Sequence, residues 1–507
     1  MRIKLLLLVL LLGAAPLLSA AENYSPLYKT VAELEADLNA GKTSSAKITA
    51  FYLARIKALN PRYHAVISTN PDAGKIAAQF DKERAAGKLR GPLHGIPVLL
   101  KDNINSRDPI PTTAGSLALK QNYALKDAFL VKKLRAAGAV ILGKANLSEW
   151  ANMRSTQSIS GWSAIGGFTR NAWDVSKNPC GSSSGSAVAA ALNLAPLTVG
   201  SETDGSILCP ASMNGVVGFK PSAGMVSQAG IVPISHSQDT AGPITRSVAD
   251  AVFLLQGMLA DDAGVSAAEL GSALENMSLK GITIGVARFY NGHDSAVDKV
   301  FESALEVLKQ AGATLVDVGD NMRVKDLGEL EIARLLADMK ADMRAYLKNA
   351  PAAVKVRSME DLVAFNKANK DTEMVHFAQE FFEYALKSPA LDSKEYQQMN
   401  ASIKQHLSER GIAAILKNNT VDLLVAPSYG VAGLLKNEHD SATEQPGSTQ
   451  LSAVAGLPTI SVPMGMIKGL PLGLSFMAGM HSEPLLIRAA AGYEKTRGAF
   501  AQPEIKH

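Results

Sequence analysis

Little in this chain could hold a small or metal-built scaffold together. Only two of its 507 residues are cysteine, Cys180 and Cys209, which excludes a disulfide-rich framework and a cysteine zinc cluster. The pair could bond to one another or remain as two buried thiols. Nine histidines are present without an HExxH pair or other ligand spacing, so neither a catalytic metal nor a cofactor is expected. Charge of one sign is not in excess: 51 basic residues face 47 acidic ones. No basic tract interleaved with aromatics argues for nucleic acid, which leaves a small-molecule or peptide substrate as the expected partner.

Long apolar runs are also scarce. The marked one, Leu5 to Leu12, follows Arg2 and Lys4 and leads to Ser19-Ala20-Ala21. That is the charged, apolar, small-residue order of a secretory signal peptide, and the run is too short to span a bilayer. The expectation is a signal peptide over residues 1–21, cleaved near Ala20 or Ala21, and a periplasmic or secreted protein with no membrane attachment thereafter. No cysteine lies there to carry a lipid. An uncleaved anchoring helix is the alternative. Without Arg2 and Lys4 the basic count falls from 51 to 49 against 47 acidic residues, a net charge of about +2.

The remaining length alone allows about three domains. Thr30–Leu38 and Ser44–Leu59 read as helices, the second ended by Pro61, and Val131–Ala137 as a third. Ile96–Leu100, Ala139–Leu142 and Leu197–Gly200 are short apolar runs of strand length, and alanine-rich Ala187–Leu194 reads as a buried helix. Strand Ile282–Ala287, an amphipathic helix bearing Val297, Val300, Phe301, Ala304, Leu305 and Leu308, and strand Thr314–Val318 continue the alternation of an α/β protein. Residues 324–418 are better charged and mostly helical, a lobe expected over the sheet. Leu423–Ala426, Thr459–Val462 and Leu472–Phe476 read as later strands and Glu483–Lys495 as a closing helix. Ala260–Leu279 is the stretch expected to be least ordered.

Chemistry concentrates in three places. The run ending at Lys101 would bury a lysine at a strand mouth, which disfavours the ammonium and lowers its pKa. Two serine-bearing, glycine-rich stretches follow, Cys180-Gly181-Ser182-Ser183-Ser184-Gly185-Ser186 and Glu202-Thr203-Asp204-Gly205-Ser206-Ile207. A neutral amine can activate a serine, and amides in glycine-rich turns can cradle the resulting oxyanion, a pattern that points to acyl transfer. Taken singly, each feature has an ordinary reading: a lysine reaching solvent, a helix-capping turn, structural His94 and His236, core packing by Met153 and Trp162. Gly181 to Gly185 also fits GxSxG, but polar, proline-bearing Asn171–Pro179 lacks the strand that motif requires. Ser44-Ser45-Ala46-Lys47 fits SxxK without its companion SDN or KTG.

The order Lys101-Asp102-Asn103, then Cys180 to Ser186, then Ser201 to Ile207, resembles the amidase signature family, including the 24-residue step from Ser182 to Ser206. Gly143 to Trp150, Gly215 to Pro221 and Asp239 to Pro243 are similar as well, and the likeness covers most of residues 25–500. Within the family it is strongest to bacterial peptide amidases, through Ser155 to Trp162, Cys180, Cys209 and Gly469 to Phe476. The resemblance implies one large amidase domain over residues 22–507, with a signature core at about 85–250 and a twisted mixed β-sheet between helical layers. It implies Ser206 as nucleophile, Ser182 as a bridging serine after a cis peptide bond, and Lys101 as base. The backbone amides of Thr203, Asp204, Gly205 and Ser206 are the expected oxyanion donors.

The expected reaction is hydrolysis of peptide C-terminal carboxamides or other simple amides to carboxylate and ammonia. A broad aryl or fatty amide or ester hydrolase is the alternative, and an inactive amide-binding protein the non-enzymatic one. Many relatives place arginine two residues after the nucleophile; Leu208 stands there, so a substrate carboxylate is not expected at that spot. Asp204, Asn146, Asn152 and Gln238 are the candidate substrate contacts.

Overall fold

Short apolar runs separated by amphipathic helices have one stable way to bury both faces, which is to pair as a sheet between helical layers. The computed structural model describes residues 24–319, 327–435 and 447–505; the expected signal peptide lies outside them. Its strands are β1 Val66–Thr69, β2 Pro97–Lys101, β3 Val140–Ala145, β4 Trp162–Ser163, β5 Gly167–Phe168, β6 Leu197–Glu202, β7 Val217–Lys220 and β8 Thr240–Thr245. They continue with β9 Thr283–Ala287, β10 Thr314–Val318, β11 Leu423–Pro427, β12 Thr459–Ile467 and β13 Leu470–Met477. Eleven form a single mixed sheet in the order β1-β3-β2-β6-β8-β7-β12-β13-β11-β9-β10, and β4 pairs only with β5. The α/β expectation of one large mixed sheet flanked by helices is met.

The register matters most where β2 and β6 run parallel, with Leu100 opposite Val199. Their carboxyl ends emerge side by side, the edge at which α/β sheets present ligand sites. Every residue of β2 is buried, as its unbroken apolar run requires. Helix Ser184–Ala191 packs beneath with all its residues buried. Small side chains permit that approach: a Cβ on Gly185 would meet the Ala65 carbonyl at 2.3 Å and the Asn146 carbonyl at 2.5 Å.

Helices Leu327–Lys348, Met359–Ala368, Glu380–Lys387 and Lys394–Arg410 supply the helical part expected at 324–418, of which 324–326 lie outside the described residues. A separate apolar cluster holds it to the connections that follow β3 and precede β8, joining Met339, Met343 and Phe382 to Trp150, Val232 and Ile234. One expectation needs correction. The second helix does not stop at Pro61 but runs Ser45–Tyr63, closed by left-handed His64, whose amide donates to the Asn60 carbonyl at 2.8 Å. Proline removes a single bond there, and buried Tyr63 anchors the last turn. Within 260–279, Ser266 and Glu269 form a capping box for the short helix Ala267–Ser272, and Leu270 is buried.

Replacing Gly185 by alanine should lower stability by about 1–3 kcal/mol through overpacking against backbone that cannot swing aside. An unchanged thermal midpoint for Gly185→Ala would contradict this packing.

Candidate active site

Lys101 ends β2 and is wholly buried. Its Nζ donates to Ser182 Oγ at 2.7 Å, Ser201 Oγ at 2.9 Å and the Ser201 carbonyl at 3.0 Å. Desolvation pushes its pKa down to about 7, against the opposing charges of Asp239 and Glu202. Neighbouring Asp102 faces elsewhere, as strand alternation requires, and accepts from the Thr113 amide at 3.2 Å and from the Thr113 hydroxyl. Burial raises Asp102 and lowers Lys144, each shift opposed by the other's charge. Lys144 is thus a second buried lysine, held by Thr112 Oγ1 at 2.7 Å and the Ile104 carbonyl.

The Gly181–Ser182 peptide bond is cis. Hydrogen bonds surround it: the Ser182 carbonyl accepts from the Ser148 amide at 3.0 Å, and Ser184 Oγ donates to the Cys180 carbonyl at 2.6 Å. Ser183 Oγ donates to the Ser201 carbonyl at 3.0 Å, which pins the stretch to β6. Gly181 admits no larger residue, since a Cβ would lie 2.2 Å from Ser148 Oγ.

Ser206 follows β6 in a turn, nearly buried at 8% exposure. Its carbonyl accepts from the Ser183 amide at 3.1 Å, which joins the two serine stretches. A disulfide between Cys180 and Cys209, with Cα atoms 5.9 Å apart, ties them a second time and resolves the alternative left open by composition. Glu202 Oε2 accepts from the amides of Ile207 at 2.6 Å and Leu208 at 2.9 Å, capping helix Leu208–Asn214. Among the described residues, the preceding amides of Thr203, Asp204, Gly205 and Ser206 have no protein acceptor. Gly205 has φ +76° and passes Tyr429 so closely that a Cβ would sit 2.2 Å from the phenolic oxygen.

Of the four candidate substrate contacts, the structure frees two and occupies two. Asn146 donates to the carbonyls of His64 at 3.1 Å and Gly167 at 3.2 Å while accepting from the Leu147 amide at 2.9 Å and Ser163 Oγ at 2.8 Å. Gln238 donates to the Thr203 carbonyl at 3.2 Å and Glu331 Oε1 at 2.8 Å and accepts from Arg334. In this structure the polar atoms of both amides are taken up by protein partners. Asn152 Oδ1 and Asp204 Oδ1 have no partner. Burial raises the Asp204 pKa, countered by a hydrogen bond from Thr449. A small cavity beside Ser182 and Thr203, edged by Asn103, Ala151 and Ile234, adjoins the apolar space under Met339, Met343 and Phe382.

Ser201, Glu202 and Tyr429 belong to the site's surroundings and escaped sequence reading. The first two lie inside a motif whose serine drew attention; Tyr429 lies 223 positions beyond Ser206 with no local signal. His94 is buried, its Nε2 2.9 Å from the Phe80 carbonyl, and His236 pairs with Asp342 at 2.9 Å. Among the described residues no His, Cys, Asp and Glu group could hold a metal ion.

Comparison with known proteins identifies the family. Residues 47–487 match the Amidase family model. The chain is 45% identical to the crystal structure of a native peptide amidase from Stenotrophomonas maltophilia, covering 94% of this chain and 99% of that one with a TM-score of 0.88. It is 38% identical to a probable amidase of Arabidopsis thaliana, over 96% of this chain and 94% of the relative. An amidase family protein from Bacillus anthracis is 32% identical in its crystal structure, over 94% of this chain and 93% of that one, with a TM-score of 0.84. With the sheet, the buried lysine and the two linked serine stretches in place, the chain belongs to the amidase signature family and is an amide-hydrolysing enzyme.

Proposed function

We propose that this enzyme uses Lys101, Ser182 and Ser206 as a proton-relay triad to hydrolyse carboxamides, foremost the C-terminal amides of peptides. The observation that carries the reading is the 2.7 Å contact between a fully buried lysine and Ser182, in a segment joined to the Ser206 turn. Neutral Lys101 takes the Ser182 proton, Ser182 takes that of Ser206, and Ser206 Oγ adds to the carboxamide carbon. The negative carbonyl oxygen meets the unoccupied amides of the Thr203–Ser206 turn. Reversal of the relay protonates the leaving nitrogen, ammonia departs, and the same groups activate water against the acyl-enzyme.

Peptide amides are favoured over carboxylate-bearing substrates because Leu208 offers no cation, while unpartnered Asp204 Oδ1 can accept a substrate N–H. The likeness to a peptide amidase supports the same choice. Export beyond the cytoplasm is part of the proposal; it rests on the N-terminal pattern and agrees with the Cys180–Cys209 bond, which oxidising compartments preserve.

A panel of peptide amides, free-acid peptides, fatty amides, anilides and glutamine, assayed for ammonia or amine release, should show fastest turnover on peptide amides; internal peptide cleavage without deamidation would defeat the substrate assignment. Ser206→Ala should abolish turnover, and Ser182→Ala and Lys101→Ala should each cost at least about a hundredfold in kcat. A Lys101→Ala enzyme at full rate would remove the base assignment.

Because the uncharged amine is the active form, kcat/KM should rise with pH and level off above about 7, where Lys101 has lost its proton. A profile that is flat or falling through that interval argues for another base. Asp204→Asn should reduce kcat/KM for peptide amides about tenfold or more, the weight of one hydrogen bond to a charged group. Equal loss on a small amide lacking the recognised N–H would place Asp204 elsewhere.

A further inference from the structure

Each amide of the Ser206 turn is aimed by whatever holds the carbonyl of its own peptide unit, since the N–H and C=O of a trans peptide point in opposite directions. The Gly205 carbonyl accepts from the Cys209 amide at 2.8 Å, which sets the Ser206 N–H. The Thr203 carbonyl accepts from Gln238 Nε2 at 3.2 Å, which sets the Asp204 N–H. The first restraint is local, whereas the second depends on the helical lobe.

Glu331 and Arg334 lie one turn apart on helix Leu327–Lys348, both buried, and each bridges the same two segments. Glu331 Oε1 accepts from Gln238 at 2.8 Å and its Oε2 from Gln450 Nε2 at 2.9 Å. Arg334 donates to Gln238 Oε1 and, at 3.3 Å, to the Val454 carbonyl. Both ends of the Gln238 amide are therefore fixed by lobe residues, which decides which end faces Thr203. Gln450 also adjoins Thr449, whose hydroxyl is 2.9 Å from Tyr429 beside Gly205 and bonds to Asp204. Farther along the helix, Asp338 accepts from Ser235 Oγ at 2.6 Å and Asp342 from the His236 amide at 2.7 Å, so one stripe of the helix grips the segment carrying Gln238.

We propose that Glu331 and Arg334 are positioning residues that act through Gln238 to orient the peptide unit between Thr203 and Asp204 for stabilising the oxyanion. This rests on the triad reading above. A lobe contact serving only to hold the fold would lower stability without changing the rate per folded enzyme. A positioning contact lowers kcat while leaving ground-state binding nearly intact.

The test compares Glu331→Gln, Arg334→Met, Arg334→Lys and Gln238→Leu in the full chain with a peptide amide, rates being normalised by active-site titration. Expected are a kcat lower by about tenfold to a hundredfold in Gln238→Leu and Arg334→Met, KM within about threefold, and a parallel loss of affinity for a peptide aldehyde, whose adduct carries the oxyanion. Arg334→Lys should recover part of the loss. If Arg334→Met fails to fold, near-isosteric Glu331→Gln, expected to show the same kcat loss, carries the test. Wild-type kcat and aldehyde affinity in folded Gln238→Leu, with Ser206→Ala inactive, would overturn the positioning role alone. An active Ser206→Ala would overturn the triad and this inference with it.

Discussion

A lysine placed at the end of a strand buried on both faces is the constraint around which the rest of this protein is arranged. Water cannot solvate Lys101, so its ammonium form is disfavoured, and what holds the side chain is the Ser201 hydroxyl and carbonyl together with Ser182. Asp239 and Glu202 lie near enough to temper the shift without removing it. An amine poised near neutrality needs such a balance, since full desolvation would leave it a weaker base and a full counter-charge would keep it protonated.

The backbone around it is braced at close intervals. Ser183 crosses to β6, Ser184 bonds back to Cys180, the disulfide reaches Cys209, and Glu202 occupies the first amides after the Ser206 turn. These contacts absorb the donors on either side and leave a short run of amides uncommitted between them. Small residues make the approach possible: glycine at 181, 185 and 205 stands where any Cβ would collide with a neighbour. Rigid support of this kind lets an amide face a developing charge without reorganising first.

The helical lobe enters this arrangement in two ways. Its apolar cluster with Trp150, Val232 and Ile234 covers the space next to Ser182, and its polar stripe reaches the turn through Gln238. Burying Glu331 and Arg334 adds little net stability, because the desolvation of each group offsets the hydrogen bonds it makes to Gln238 and to the 450–454 segment. Its value lies in setting which end of one amide side chain points at Thr203.

Much of this was legible in the sequence. The apolar run ending at Lys101, the alternation of strand and helix, and the two serine stretches have local signatures that depend only on neighbouring residues, and their elements form nearly where expected. Pro61 misled because a last helical turn tolerates proline once Tyr63 packs it, and Ser266 with Glu269 shows a capping box overlooked in a polar stretch. That Asn146 and Gln238 are engaged by protein partners was not legible, because an amide's type says nothing about what already fills its hydrogen bonds. Chain order thus determined which residue types were present and how each element would form. Tertiary structure alone decided that β2 and β6 end side by side, that Cys180 meets Cys209, and that Glu331, Arg334 and Tyr429 attend the Ser206 turn, for these contacts join segments far apart in sequence and follow from sheet register and lobe packing.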